Sequence, residues 1–173
     1  MLQELDSLGE NPDPNAIFRA PYLNAVCSEA LRLYPVAMLA LNRLVKSPLE
    51  IMGYQLEPGT LIIPSIYLTH HREDLYPEPK LFLPERFLER QFAPYEYLPF
   101  GGGNRRCIGM ALAQFEMKLV LATVLSRWQM ELANSKPVQP VRKGILLTPA
   151  EGVRMVVTGM RPQNQQILET SFS

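Results

Sequence analysis

The sequence predicts a mainly α-helical fold that carries small antiparallel β-sheets, an α+β class. Three observations predict it: helix-spaced apolar residues across 21–33, a long uninterrupted helical segment from Cys107 to about Trp128, and short β-like runs divided by prolines and glycines elsewhere.

In "APYLNAVCSEALRLYP" (20–35), Pro21 suits a first helical turn, and Leu23, Val26, Cys27, Ala30, Leu31 and Tyr34 recur at helical spacing. The expectation is an amphipathic helix over 21–33. The stretch "EIMGYQLEPGTLIIPSIYLTH" (50–70) alternates β-branched and apolar residues around Gly53 and a Pro58-Gly59 turn, which predicts a small antiparallel sheet with Pro64 at an edge or bulge. Prolines dominate from there to Phe100, as in "YPEPKLFLPERF" and "FAPYEYLPF". Each removes an N–H donor and restricts the residue before it, so this part is an ordered meander without long elements. The helix from Cys107 has apolar residues on most sides, as expected of an element covered nearly all round. The segment 129–160 reads as hairpins, and 162–173 as a polar tail beyond one domain over 1–161.

Composition excludes several classes. Seventeen basic and seventeen acidic residues cancel, which removes the electrostatic case for nucleic acid as the main partner. Two cysteines, Cys27 and Cys107, make no disulfide framework; with no secretory leader in view, a reducing cytoplasm is the expected location. No apolar run approaches the roughly 20 residues of a membrane span.

The chemistry concentrates in "PFGGGNRRCIGMALAQFEMKLVLA" (99–122). A cysteine at the mouth of a helix faces unpaired backbone N–H groups that attract an anionic ligand atom. Gly101, Gly102 and Gly103 let the loop take positive φ, and Gly109 leaves room for a flat body against the helix. Arg105 is spaced to reach a carboxylate on that body. A planar, metallated, acidic ligand satisfies these features, and haem is such a ligand. Other readings stand beside it: a small core cysteine, or a glycine loop cradling phosphate. The phosphate reading lacks a Lys-Ser/Thr pair and a G-x-G-x-x-G pattern, and a zinc site lacks four suitably spaced ligands, adjacent His70 and His71 notwithstanding.

"FGGGNRRCIG" is similar to the ligand-loop signature F-x-x-G-x-R-x-C-x-G of the cytochrome P-450 haem-thiolate monooxygenases, with Phe100, Gly103, Arg105, Cys107 and Gly109 at its fixed positions. An E-x-x-R pair (Glu29, Arg32) and "PERF" (84–87) follow the family's order. The resemblance runs from the first residues to about Arg161 and implies the C-terminal, haem-ligand part of that fold.

The resemblance also implies the roles. Cys107 would bind the iron of haem b (iron protoporphyrin IX), its thiolate supplying the electron donation that helps split the O–O bond of O2. Arg105 and Arg43 would meet the haem propionates, while Phe100, Gly101, Gly103 and Gly109 shape the cofactor loop. Glu29 and Arg32 lie opposite the apolar stripe of their helix, so periodicity alone leaves them solvated; the resemblance instead buries them with Arg86 as a structural triad behind the loop. Val36, Met38 and Leu39 in "VAMLAL", with Ile145 and Leu146 in "GILL", would line the site of an apolar substrate. Electrons would come from NAD(P)H through a ferredoxin or flavodoxin-type donor, for which Arg106, Lys118 and Arg127 offer a basic face. One departure stands out: no oxygen-activating helix with an acid–alcohol pair precedes "SEALR". The expectation is therefore a truncated monooxygenase, inactive alone and completed by a missing N-terminal portion. The alternatives are a haem-binding module without turnover, and an inert or interaction fragment.

Overall fold

Helix α1 spans Leu2–Ser7 in this computed structural model, which describes residues 1–161; the expected tail at 162–173 lies outside the described residues. Next come α2 (Pro14–Arg19) and α3 (Pro21–Leu33), each with proline in its first turn, where its missing N–H needs no partner. The bounds of α3 are those the spacing predicts. Ala20 gives α3 no side-chain cap. The Glu4 carboxylate of α1 supplies one instead, accepting the N–H groups of Tyr22 and Leu23 at 2.8 Å each.

Strands β1 (Arg43–Leu44), β2 (Leu49–Ile51), β3 (Tyr54–Leu56) and β4 (Leu61–Ile62) form the antiparallel pairs β1–β4 and β2–β3. The β2–β3 turn places Met52 and Gly53 both at positive φ, the backbone that a two-residue hairpin of this twist requires. Pro64 lies beyond β4, where its carbonyl accepts the N–H of Ala40 at 2.9 Å. Helix α4 (Ile66–His70) is capped by Ser65, and the proline-rich meander that follows contains only the single turn α5 (Arg86–Glu89).

Helix α6 occupies Met110–Arg127, so it starts three residues later than the sequence predicts. Gly109 caps it at φ −82° and ψ 4°, outside helical geometry, and the Cys107 N–H is taken by the Phe100 carbonyl at 2.9 Å instead of by a helical turn. Trp128 opens β5 (Trp128–Leu132) and does not continue the helix. β5 pairs with β8 (Met155–Met160), enclosing the hairpin of β6 (Pro140–Lys143) and β7 (Leu146–Pro149).

The apolar core forms where α1, α2 and α3 meet α6: Leu5, Ile17, Ala20, Leu23, Cys27 and Ala122 are buried there, with Met117, Leu119, Leu121 and Leu125 packed against them. The two N-terminal helices, six residues each, are absent from the sequence reading because neither is long enough to show a period. Cover for α6 is one-sided. Ile108, just before it, and Leu112 and Val120 on it remain exposed.

Candidate functional site

The loop from Leu98 to Gly109 is held by its own backbone. Gly101 N–H reaches the Leu98 carbonyl at 2.9 Å, Arg106 N–H the Gly103 carbonyl at 3.2 Å, and Cys107 N–H the Phe100 carbonyl at 2.9 Å. Gly101 and Gly103 take φ of +74° and +62°, where a side chain is strained. Space is tight at Gly102, where a Cβ would sit 3.1 Å from the ring of Tyr95 and that exposed ring would have to give. A Cβ on Gly109 would lie 3.8 Å from Cys107 Sγ, an ordinary contact beside the sulfur. Cys107 itself is a free, exposed thiol, whereas Cys27 is buried in the core. Burial pushes the Cys27 thiol up.

An open cavity of about 590 Å³ lies beside this loop, lined by Ala40, Leu41, Pro64 and Leu98 together with Arg43 and Arg105. Two arginines from separate segments of the sequence, one just after α3 and one in the cysteine loop, thus line one hollow. Arg43 Nη1 donates to the Leu41 and Asn42 carbonyls at 2.9 and 3.1 Å, and among the described residues neither arginine pairs with a carboxylate.

Behind the loop, Glu29 and Arg32 of α3 are both 0% exposed. Arg32 Nε and Nη2 donate to the two oxygens of Glu29 at 2.7 and 2.8 Å, and Arg86 Nε donates to Glu29 Oε1 at 3.2 Å. Leu83 N–H adds a fourth bond to that carboxylate at 3.0 Å. The remaining Arg32 donors reach the carbonyls of His70, Pro79 and Leu81 at 2.8, 2.9 and 3.2 Å. Helix α3 is therefore buried on two faces, one apolar against α6 and one polar against the meander. Periodicity identifies only the first, because a polar face looks the same whether it meets water or a set of carbonyls supplied from 38 to 49 residues away.

The two apolar segments meet. Leu147 N–H donates to the Val36 carbonyl at 2.8 Å, and Ala37 bridges Leu146. Val36, Leu39, Ile145 and Leu146 are exposed and Met38 half-buried. The basic face is corrected by the structure: Arg106 and Arg127 are exposed, but Lys118 is buried. Its ammonium lies 4.1 Å from the centroid of the Phe18 ring and donates to the Phe18 carbonyl at 3.2 Å. The side of α6 that carries Lys118 faces α2, so the lysine turns inward, and burial pushes its pKa down.

Sequence reasoning missed His70. It is fully buried, accepts the Leu98 N–H on Nε2 at 3.0 Å, and stacks on Tyr97. The only signal was a polar residue at the end of an apolar stretch. Among the described residues no cluster of His, Cys, Asp and Glu could hold a metal ion, and no helix is long and apolar enough to cross a membrane.

The family model described as Cytochrome P450 matches residues 2–156, and the chain belongs to that family. It is 37% identical over 140 residues to a Mycobacterium tuberculosis protein whose name places it among the cytochromes P450, a match covering 81% of this chain and 29% of the relative. Cytochrome P450 monooxygenase asqL of Emericella nidulans is 41% identical over 138 residues, covering 76% of this chain and 29% of that protein. For cytochrome P450 3A29 of Sus scrofa the values are 40% over 132 residues, 73% and 26%. The chain thus spans less than a third of the length of these relatives.

Proposed function

We propose that this chain is the haem-ligand part of a monooxygenase that inserts one oxygen atom of O2 into an apolar substrate, with Cys107 as the proximal ligand. The observation that carries the reading is the free, exposed Cys107 thiol in the same loop as Arg105, which with Arg43 lines an open cavity and, like Arg43, meets no carboxylate among the described residues. The residues fit haem by their donor set: a soft thiol for iron, a loop turned by glycines at positive φ, and guanidinium groups suited to carboxylates. Arg105 and Arg43 would hold the propionates, and Phe100, Gly101, Gly103 and Gly109 the shape of the loop. When bound, the cofactor supplies the redox chemistry of oxygen activation. Glu29, Arg32 and Arg86 keep the meander behind the loop in place. Val36, Met38, Leu39, Ile145 and Leu146 line the substrate side, and electrons arrive from NAD(P)H through a ferredoxin or flavodoxin-type donor.

Cleavage of O2 also needs proton delivery and exclusion of water on the far side of the cofactor. We place those functions in sequence that the longer relatives have and these 173 residues do not include. The test compares the chain expressed alone with the chain co-expressed with the N-terminal portion of a relative. Haem-loaded material should show the red-shifted ferrous–CO band of thiolate ligation, and Cys107→Ala should abolish it; an unchanged band in that variant sinks the ligand assignment. Product formation should require the co-expressed portion. Cys107-dependent turnover by residues 1–173 alone would show that the chain is sufficient.

A further inference from the structure

We propose that His70 is the positioning residue of the Cys107 loop: its imidazole fixes the Leu98 amide, the point from which the loop's backbone hydrogen bonds are built toward the cysteine. The inference rests on the reading of Cys107 as the ligand, but its geometry is independent of it.

His70 ends α4, and nothing of it is exposed. Its Nε2 lies 3.0 Å from the Leu98 nitrogen, and an N–H can only donate, so Nε2 must be the unprotonated acceptor. The imidazole is neutral, with its proton on Nδ1. Burial, the largest influence, pushes His70 down to about 4 and keeps it in that form near neutral pH. The ring is clamped by its neighbours, stacked on Tyr97 at 5.5 Å and met edge-on by Tyr76 at 6.3 Å. Those tyrosines are themselves tied, Tyr97 to the Ser28 carbonyl and Tyr76 to the Glu96 carbonyl.

The residue has two ends at work. Its carbonyl receives Arg32 Nη1 at 2.8 Å, which joins it to the Glu29–Arg32–Arg86 network, and its ring holds Leu98. From Leu98 the carbonyl accepts Gly101 N–H at 2.9 Å, and two residues further along Phe100 accepts Cys107 N–H at the same distance. Nδ1 has no partner among the described residues, and an apolar side chain there would have avoided that orphaned donor. Among the described residues the ring's one close hydrogen bond is with the Leu98 amide, and the Arg32 main chain acts on it more loosely. Without the ring a buried N–H at the root of the loop loses its acceptor.

The experiment uses the full chain in whichever preparation above is soluble, as parent, His70→Leu, His70→Gln and His70→Asn. Glutamine reaches as far as Nε2 and can accept from Leu98; asparagine reaches only as far as Nδ1. Amide hydrogen exchange at Leu98, Gly101 and Cys107 should accelerate at least tenfold in the Leu and Asn variants and stay within about threefold of the parent in Gln. Core amides of α6 should be unaffected. In haem-loaded samples the thiolate-type ferrous–CO band should weaken in Leu and Asn and recover in Gln. Unchanged exchange at Gly101 and Cys107 in His70→Leu overturns the proposal, as do Gln and Asn variants that behave alike. If His70→Leu does not fold, the Gln and Asn contrast decides. A parent without the thiolate band would overturn the ligand reading, while the exchange rates still decide the positioning role.

Discussion

All five N–H groups of Arg32 are engaged, two by the Glu29 carboxylate and three by main-chain carbonyls of the meander. A buried cation so completely paired cannot be removed without leaving Glu29 and three carbonyls short of donors. Arg32→Ala should therefore lower stability by about 3–5 kcal/mol, read in a denaturant melt. Arg86 is less deeply placed, its side chain 11% exposed and its bond to Glu29 3.2 Å long. Its removal should cost about 1.5–3 kcal/mol, and equal losses for the two variants would contradict this ranking. His70 contributes in the opposite protonation sense. Its folded value is pushed down to about 4 from the ordinary 6.5, by burial first and also by the positive charges of Arg32 and His71. Between those limits the unfolded chain binds a proton that the folded chain does not, so the stabilisation is complete above pH 6.5 and is lost as pH falls through the window. About 2 kcal/mol should disappear between pH 7 and pH 5. The His70→Gln variant should show a flatter pH profile, and an equally steep one would assign the acid sensitivity elsewhere.

At the scale of elements, the α1–α3 junction is closed by a carboxylate from one helix acting on the start of another. Glu4 satisfies two backbone donors at the N-terminus of α3, where the helix dipole also favours negative charge. Glu4→Ala should destabilise by about 1–2 kcal/mol in the same melt. Exposed Glu10, which belongs to no helix, is the control: its alanine variant should stay within about 0.5 kcal/mol of the parent. Comparable effects at the two positions would mean that charge in general, and not the cap, is responsible. A similar tie closes the far end, where Arg161 Nη2 reaches Asp6 of α1 at 2.8 Å and Nη1 reaches the Leu125 carbonyl of α6 at 3.1 Å.

For the molecule as a whole, the decisive feature is how α6 is covered. Three helices shield Met117, Leu119, Leu121, Ala122 and Leu125, but Ile108, Leu112 and Val120 remain exposed, in line with the nearly all-round apolar character of the sequence there. Such a surface either meets a partner or promotes aggregation. Residues 1–173 expressed alone should therefore bind a hydrophobic dye and elute as aggregate in a sizing measurement. Co-expression with the N-terminal portion of a related enzyme should reduce both. A dye-free monomer with a cooperative melt would show that α6 is adequately covered as it stands.

What the sequence by itself determined is local. The spacing and Pro21 of α3, the positive-φ glycines of the Cys107 loop, the absence of long elements between prolines and the helical run after Gly109 all depend on neighbours within a few residues. So did the motifs that place the chain in its family, since they are short strings in a particular order. Tertiary structure decided what those local features face. It buried Glu29 and Arg32 by bringing up carbonyls from the meander, turned Lys118 inward onto Phe18, stabilised two helices too short to show a period, and joined β5 to β8 across an intervening hairpin. It also brought the His70 ring within hydrogen-bond reach of the Leu98 amide, twenty-eight residues away. The physical reason is common to all of these. A polar or charged group is stable in the interior only when specific partners satisfy it, and one-dimensional spacing carries no information about partners that folding brings from elsewhere in the chain.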